Sequence, residues 1–377
     1  MLLMSKIAIV TLPLRLNYGG ILQAYALQTV LERMGNDVAV IQVQQKGYSA
    51  PRGIKAPFVY GRRAILKCLG LSDTPVFAEK QLNTHWPVIS EHTRRFINQY
   101  IHVREISSYD EIDPKDYDVF VVGSDQVWRP AYSDLYQCFL EFAKNWDVKR
   151  IAYAASFGTD EKEYTSEQIA VCKSLIKKFD AVSVREDSGV TLCEDFFGVC
   201  AQHVLDPTLL LDKEDYISLV EASGIDKSEG DLFVYMLDPS QEKSAIVEDI
   251  AAKKHLTPFT VKAKSDYNYA PLEDRIQSPV EQWLRGFMDA KFVVTDSFHG
   301  CVFSILFNKP FIAIGNSERG MARFTSLFKS FKLMERLVKT DKFEVALSMP
   351  IDWIVTNRFM KDLRIRSTLY LKGNTTK

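Results

Sequence analysis

The sequence lacks the patterns that mark a metal centre, a disulfide framework or a membrane span. Its six cysteines are scattered without a CxxC pair, which favours a cytosolic protein with free thiols. Neither HExxH nor GxGxxG occurs, so a zinc peptidase and a dinucleotide-binding protein are both disfavoured. No uncharged apolar run approaches the ~20 residues of a membrane span, and the net charge of -1 gives no sign of a nucleic-acid partner. These absences predict a cytoplasmic protein that uses neither a metal nor a bound cofactor.

Strand and helix patterns alternate along the whole chain and predict parallel sheets. The strands are predicted at 6–12, 38–43, 117–122, 151–156, 181–185, 232–237, 259–263, 291–295 and 310–314. The helices are predicted at 20–34, 166–179, 241–255, 279–290 and 300–308. At 377 residues the chain suits two domains, and the turn-rich segment 223–231 places their boundary within 205–230. We therefore expect two Rossmann-like α/β domains, residues 1–210 and 211–377, facing across a cleft, with a partly helical insertion at 46–100.

The segment KFVVTDSFHGCVFSILFNKPFIAIGN, residues 291–316, indicates a strand, a polar turn, an apolar helix and a second strand. His299 is expected in the first turn of that helix, past the C-terminal end of a strand, which is where open α/β sheets bind ligands. We favour a catalytic role for His299 over a purely structural one. Asp296, just before it, suits either orientation of the imidazole ring or capping of the helix. Cys301 is the weaker candidate nucleophile, because successive helix positions point in different directions.

Five segments, in order along the chain, resemble the signature of the polysaccharide pyruvyl transferase family. They are NYGGILQAYALQ (17–28), VVGSDQVWRP (121–130), SVREDSG (183–189), VLDPTLLL (204–211) and TDSFHG…FNKPFIAIGN within 291–316. The resemblance is to a bacterial branch associated with surface glycans. It implies a fold like that of GT-B glycosyltransferases, with a helix at 350–371 that packs back on the first domain. It also implies phosphoenolpyruvate as co-substrate and a saccharide, free or lipid-linked, that receives pyruvate as a cyclic ketal on two hydroxyls.

Phosphoenolpyruvate is a small, multiply charged anion, so its site needs cations and free backbone N–H groups. Arg185 ends a predicted strand, and the resemblance implies that it anchors the donor rather than pairing with Glu186 or Asp187. Ser297 stands where some relatives have arginine, so a second cation is expected on the loop after strand 310–314. The donor-binding candidates are Arg185, Ser297, Phe298, Arg319 and Arg323. For Arg323, a solvated position on a helix is an equally good interpretation.

The two motifs of the first domain are the expected acceptor side, because each follows a predicted strand directly. Glycines in the first motif let the backbone approach a ligand, and polar residues in the second suit sugar hydroxyls. Asp125 is a candidate base for the attacking hydroxyl and Trp128 a candidate stacking surface, with a tight turn and a core aromatic as the alternatives. The acceptor-binding candidates are Asn17, Tyr18, Gly19, Gly20, Gln23, Ser124, Asp125, Gln126 and Trp128.

The insertion carries a basic cluster at 52–67 that is interleaved with Phe58, Tyr60, Ile65 and Leu66. A solvated face over a small core is the favoured interpretation of this cluster. Contact with the inner face of an anionic membrane is the alternative, if the acceptor is lipid-linked. For the whole chain a pyruvyl transferase is the favoured function. The alternatives are a glycosyltransferase with a nucleotide-sugar donor and a non-catalytic glycan-binding protein.

Overall fold

The computed structural model describes residues 4–44, 47, 49–53, 55–72, 74–261, 263, 270–315, 320–339 and 343–375. These residues form two parallel sheets with helices packed against them, which confirms the predicted α/β class with two sheets. Among the helices of this described part, none is both long enough and apolar enough to cross a membrane.

The first sheet is built from the N-terminal part of the chain. Its strands are β1 (Lys6–Val10), β2 (Asp37–Val43), β3 (Val103–Ile106), β4 (Val119–Val122), β5 (Lys149–Ala155), β6 (Ala181–Val184) and β7 (Gln202–His203). They lie in the order β3-β2-β1-β4-β5-β6-β7, and each neighbouring pair is parallel. All residues of β4 are buried, because both faces of a parallel sheet are covered, and the strand therefore reads as an unbroken apolar run.

Helices connect these strands and also fill the predicted insertion. They are α1 (Tyr18–Arg33), α2 (Lys55–Cys68), α3 (Ala78–Ile89), α4 (Glu91–Tyr100), α5 (Leu135–Cys138), α6 (Ser166–Ile176) and α7 (Asp187–Leu192), the last continuing as a π-helical turn, Cys193–Phe197. Of these, α2, α3 and α4 lie between β2 and β3. The residues described within 46–100 are therefore mainly helical.

The second sheet has the strands β8 (Leu232–Tyr235), β9 (Pro258–Phe259), β10 (Phe292–Thr295), β11 (Phe311–Ile314) and β12 (Leu337–Val338). They lie in the order β12-β11-β10-β8-β9, again with parallel neighbours. The helices of this part are α8 (Lys213–Ser223), α9 (Gln241–Lys254), α10 (Leu272–Arg275), α11 (Val280–Asp289), α12 (Phe298–Leu306), α13 (Ala322–Phe331), α14 (Glu344–Ser348) and α15 (Trp353–Thr375). The central strand, β10, leads directly into α12.

The N-terminal end of α1 joins the two sheets. The ring of Tyr18 stacks on Trp283 of α11 with the centroids 5.5 Å apart, and its hydroxyl donates a hydrogen bond to the carbonyl of Ser278 at 2.9 Å. Nearby, Arg95 of α4 pairs with Glu281 of α11 at 2.9 Å. One hydrophobic core contains residues of both sheets and of the helices between them. The carboxyl ends of β1 and β10 are thereby held close together.

The last helix, α15, returns to the first sheet. The hydroxyl of Tyr370 donates to the carbonyl of Ala152 in β5 at 3.0 Å. The hydroxyl of Ser367 accepts a hydrogen bond from the backbone N–H of Leu205, also at 3.0 Å. Because Leu205 precedes the segment that crosses to the second sheet, α15 braces this crossing.

Candidate active site

His299 lies in the first turn of α12, as the sequence predicts. The helix begins after β10 because the hydroxyl of Ser297 accepts a hydrogen bond from the N–H of Gly300 at 3.3 Å and so caps the helix. The imidazole ring is 6% exposed, and Nε2 has no hydrogen-bond partner among the described residues. The carboxylate of Asp206 lies beside the ring, with Oδ2 at 3.6 Å from Nε2. A buried ring nitrogen in this state can still exchange a proton with a ligand.

Asp206 is the carboxylate beside the imidazole, and the sequence did not single it out. It lies in the loop after β7, where Oδ1 accepts hydrogen bonds from the N–H of Thr208 at 3.0 Å and from its hydroxyl at 2.7 Å. Burial works to raise the pKa of Asp206, but the neighbouring His299 ring and Arg185 outweigh it and hold the pKa well below its usual range. Asp206 therefore remains ionised and can stabilise a protonated His299. The only local signal was an aspartate before Pro-Thr in VLDPTLLL.

Asp296 does not contact the imidazole in the way considered from the sequence, and it does not cap α12. Its carboxylate accepts hydrogen bonds from the backbone N–H groups of Leu237, at 2.5 Å, and Asp238, at 3.1 Å. It also pairs with the ammonium of Lys243 at 2.6 Å, and its side chain is wholly buried. Asp296 thus ties the end of β10 to the turn after β8. The capping role belongs to Ser297.

Arg185 lies at the end of β6 with its guanidinium almost wholly buried. Nη1 pairs with Asp206 at 2.8 Å and Nη2 with Asp125 at 3.3 Å. Burial works to lower the pKa of Arg185, but these two carboxylates outweigh it and raise the pKa. The alternative pairing with Glu186 or Asp187 is wrong, because Glu186 accepts from two backbone N–H groups and a hydroxyl while Asp187 pairs with a lysine of α13. The guanidinium fork, expected to be open, is instead engaged by two aspartates.

A second arginine, Arg323, lies beside the same cluster. It stands near the start of α13 and is 8% exposed, so the interpretation as a solvated helix arginine is wrong. The ring of Phe298 contacts both arginines, with its centroid 4.6 Å from the guanidinium carbon of Arg185 and 5.6 Å from that of Arg323. Burial and the charge of Arg185 lower the pKa of Arg323 to about 10. Arg319, the other arginine considered for this loop, lies outside the described residues.

Asp125 and its neighbours form a buried loop after β4. Asp125 is 3% exposed and has a φ of 69°, a left-handed conformation that is uncommon outside glycine and is often found at functional sites. The side chain of Gln23 supports this loop by accepting from the N–H of Ser124 at 2.9 Å and donating to the hydroxyl of Thr11 at 2.9 Å. Gln23 and Ser124 are both wholly buried and serve the scaffold. Asp125 alone of this group reaches the arginine cluster.

Several predicted acceptor residues have structural partners instead. Trp128 is wholly buried, stacks on Phe139 at 4.9 Å and donates its indole N–H to the carbonyl of Cys138, so stacking on a sugar is excluded in this conformation. Tyr18 is also wholly buried, in the junction between the sheets. The exposed Asn17 caps α1 through the N–H of Gly19, and the side chain of Gln126 accepts a hydrogen bond from Arg129. Both aromatic residues are therefore core residues.

Gly19 brings the first sheet into contact with His299. A Cβ atom built on Gly19 would lie 2.0 Å from Nδ1 of His299, which no packed structure tolerates. A Cβ atom on the neighbouring Gly20 would meet only the side chain of Asn17, at 3.3 Å. The missing side chain at position 19 is therefore what lets α1 and α12 meet at their N-terminal ends. Gly19 helps to position the imidazole and does not bind a ligand itself.

An open cavity of about 610 Å³ lies at the carboxyl edge of the first sheet, and none of its lining residues belongs to the cluster around His299. Its polar wall includes Gln42, Ser107, Ser108, Asp110, Gln137 and Lys144. Thr11 also lines the cavity, and its hydroxyl donates to the carbonyl of Ser124 at 3.1 Å, so the cavity adjoins the Asp125 loop. Its hydroxyl, amide and carboxylate groups suit a ligand rich in hydroxyls.

Two other chemistries find little support in the described residues. Cys301 is wholly buried, and burial, with the nearby Asp296, raises the pKa of its thiol well above the usual range, which disfavours a thiolate nucleophile. Within the described ranges, no group of three or more His, Cys, Asp and Glu side chains is placed to hold a metal ion. The arrangement provides a histidine with its carboxylate and two arginines for an anion.

Comparison with known proteins gives one family and one fold. A family model described as polysaccharide pyruvyl transferase matches residues 17–318. UGT89C1 from Arabidopsis thaliana, solved in complex with UDP-L-rhamnose, has a TM-score of 0.50 and 10% identity, with 98% of each chain covered. The spinosyn rhamnosyltransferase SpnG has a TM-score of 0.44 and 11% identity, with 97% of this chain and 98% of that chain covered. No curated protein matches the sequence significantly.

At such low identity a solved structure informs on the fold alone, and the two-sheet architecture agrees with that of UGT89C1. The family match covers most of the chain, from the start of α1 to beyond the end of β11. It includes all the described residues that meet at His299 except Arg323, which follows the matched range. The protein belongs to the polysaccharide pyruvyl transferase family and is a transferase with a saccharide acceptor.

Proposed function

We propose that the protein transfers the pyruvyl group of phosphoenolpyruvate to two hydroxyls of one saccharide, forming a cyclic ketal and releasing phosphate. The observation that carries this proposal is the buried cluster at the start of α12. There the imidazole of His299, with Asp206 at 3.6 Å, lies beside Phe298, whose ring contacts both Arg185 and Arg323. Such a site combines a proton donor and acceptor with cations for a small anion.

The donor anion is expected to lie against Arg323 and the N-terminal end of α12. Arg185 and Arg323 both contact the ring of Phe298 at the start of α12, so their guanidinium groups supply positive charge there for a bound phosphate or carboxylate. An anion there would also offset the repulsion between the two arginines that contributes to the lowered pKa of Arg323. The helix N-terminus adds a favourable dipole and N–H groups. We propose that Asp125 positions Arg185 through their ion pair and does not act as the base for the attacking hydroxyl.

His299 is proposed to move the protons of the reaction. It donates a proton to the methylene carbon of phosphoenolpyruvate, so that this carbon becomes a methyl group and the adjacent carbon becomes electrophilic. A saccharide hydroxyl then forms a C–O bond to that carbon and gives up its proton. Phosphate leaves with cleavage of its C–O bond, and the second hydroxyl closes the ring with loss of its own proton. Two protons are released and two are used, one by the methyl group and one by the phosphate, so the reaction balances.

The saccharide is proposed to occupy the cavity of about 610 Å³ at the edge of the first sheet. The saccharide is not expected to contact Tyr18 or Trp128 directly, as the sequence suggested, because both side chains are wholly buried. Thr11 lines the cavity, and its hydroxyl bonds to the carbonyl of Ser124. The next residue, Asp125, pairs with Arg185 of the arginine cluster. An acceptor held there would approach the donor from the first sheet while His299 approaches it from the second.

The direct test is to incubate the purified protein with phosphoenolpyruvate and a panel of saccharides, and to follow phosphate release and product mass. We expect stoichiometric phosphate release with a product that gains one pyruvate less one water. We also expect phosphoenolpyruvate, but not nucleotide sugars, to raise the melting temperature. Thermal stabilisation by a nucleotide sugar, with none from phosphoenolpyruvate, would contradict the donor assignment.

Gly19→Ala should slow turnover strongly, because the new methyl group must displace the imidazole or part α1 from α12. A misplacement of about one ångström at a catalytic group can cost ~10²-fold in rate, and we expect a fall in kcat of this order. Gly20→Ala is the matched control, since the atoms nearest its methyl group belong to the exposed side chain of Asn17, at 3.3 Å or more. Its kcat should stay close to wild type. Equal rates for the two variants would show that Gly19 does not position His299.

A further inference from the structure

The insertion contains a strongly basic segment on a chain whose remaining residues are net acidic. Residues 52–71 include five cations and no acidic residue, whereas the whole chain has a net charge of -1. The cations are Arg52, Lys55, Arg62, Arg63 and Lys67. Most of the positive charge of this segment is therefore carried by α2.

The helix α2 also exposes large apolar side chains. It buries none of its residues, so the expected small core beneath a solvated face is wrong. Phe58 and Ile65 are 77% and 61% exposed, and Leu69, directly after the helix, is 64% exposed. Together with Arg62 they follow the spacing i, i+4, i+7 and i+11, which places them on one side of a helix. We call Phe58, Arg62, Ile65 and Leu69 the α2 outer face.

The opposite side of α2 is attached to the protein. Arg63 pairs with Glu79 of α3 at 2.7 Å, and the ring of Tyr60 packs on Phe77 with the centroids 5.0 Å apart. These contacts fix the rotation of α2 about its axis. The apolar side chains of the outer face are therefore held towards solvent. An exposed apolar stripe kept in this way indicates a partner surface.

We propose that the α2 outer face docks on the surface of an anionic lipid bilayer. A helix that combines exposed Phe, Ile and Leu side chains with exclusively basic charged residues has the composition of helices that lie in the plane of the membrane interface. The apolar side chains enter the boundary between head groups and acyl chains, and Arg62 and the exposed Lys55, one turn before Phe58 on the same side of the helix, contact anionic head groups. This attachment is peripheral and does not depend on which reaction the protein catalyses.

The charge distribution also argues against other occupants. In a symmetric dimer built on this face, the cations of one copy would lie against those of the other, which is repulsive. Single-stranded nucleic acid binds through aromatic stacking platforms, whereas the outer face offers aliphatic Ile65 and Leu69 beside one phenylalanine. An anionic bilayer satisfies both the charge and the apolar side chains.

The test is flotation of the full-length protein with phosphatidylcholine vesicles, with and without phosphatidylglycerol. We expect binding only when phosphatidylglycerol is present, and we expect it to weaken with salt. The double variant Phe58→Ser/Ile65→Ser should lower the partition coefficient by more than about tenfold, and Arg62→Gln should lower it about fivefold. Since α2 contributes no buried residue, the melting temperature of these variants should match wild type.

The matched control is Ile354→Ser/Leu369→Ser on α15, a second basic helix whose side chains at these positions are 86% and 61% exposed but whose opposite side is fixed on the first sheet. This variant should bind vesicles like wild type. Binding that ignores the lipid charge, or that survives the α2 substitutions, overturns the proposal. The proposal is also overturned if the protein binds no vesicles and instead self-associates in sedimentation velocity. If Phe58→Ser/Ile65→Ser abolishes that self-association, the face belongs to a second copy of the chain.

Discussion

Replacing His299 by glutamine is expected to lower kcat for pyruvyl transfer by ~10²–10⁴-fold, because the group that donates and accepts protons is removed. Glutamine keeps much of the volume of the ring and a polar end near Asp206, so the fold should survive. Steady-state kinetics with phosphoenolpyruvate measure the effect. The KM for the donor should change far less than kcat, since the arginines remain in place.

The matched control for this substitution is His203→Gln. His203 lies in the same region, with Nε2 at 3.0 Å from the carbonyl of Arg185 and 3.2 Å from the hydroxyl of Ser326, but it is exposed and does not face Asp206. Its loss should leave kcat nearly unchanged. If His299→Gln retains near-normal turnover, or if both histidine variants lose activity equally, the assignment of His299 as the proton carrier fails.

Asp206→Asn is expected to lower kcat by about 10³-fold, in the range seen when a catalytic histidine loses its orienting carboxylate. The neutral amide can no longer stabilise a protonated His299. A purely structural role for Asp206 would lower stability without this loss of kcat in the folded protein. The measurement is kcat together with the melting temperature for the wild type and the variant.

Asp296→Asn tests whether Asp296, which is near His299 in sequence, has the same role as Asp206, which is near it in space. It breaks the buried contact with Lys243 and should destabilise the fold by about 3 kcal/mol, because the lysine is left without its anion. The folded fraction should nevertheless keep its kcat and its pH profile. The reverse outcome, with activity lost in Asp296→Asn and kept in Asp206→Asn, would restore Asp296 as the residue that orients His299.

These two aspartates show what could be predicted from the sequence and what could not. The strand, the cap and the helix around His299 follow from residues that are adjacent in the chain, and β10 and α12 lie within a residue or two of the predicted limits. The partner of His299 depends on how the two sheets meet, which no local pattern encodes. Local reasoning therefore chose Asp296, near in sequence, over Asp206, near in space.

The same limit explains the other differences. Trp128 follows a glycine-containing turn, and the sequence cannot tell whether such a side chain faces a ligand or the core behind it. The strands β7 and β12 have two residues each, which is too short for any periodic pattern to reveal. For α2 the alternation of cations and apolar residues was visible, but the lack of a core beneath it was not.

The close approach of Gly19 to His299 also constrains how the sequence can evolve. Position 19 has no room for a methyl group while an imidazole occupies position 299, although the two residues lie on helices that pack on different sheets. The effects of substitutions at these positions are therefore not additive. A larger residue could become acceptable at position 19 only in a chain that has first given up the imidazole, and with it the proton chemistry proposed for this site.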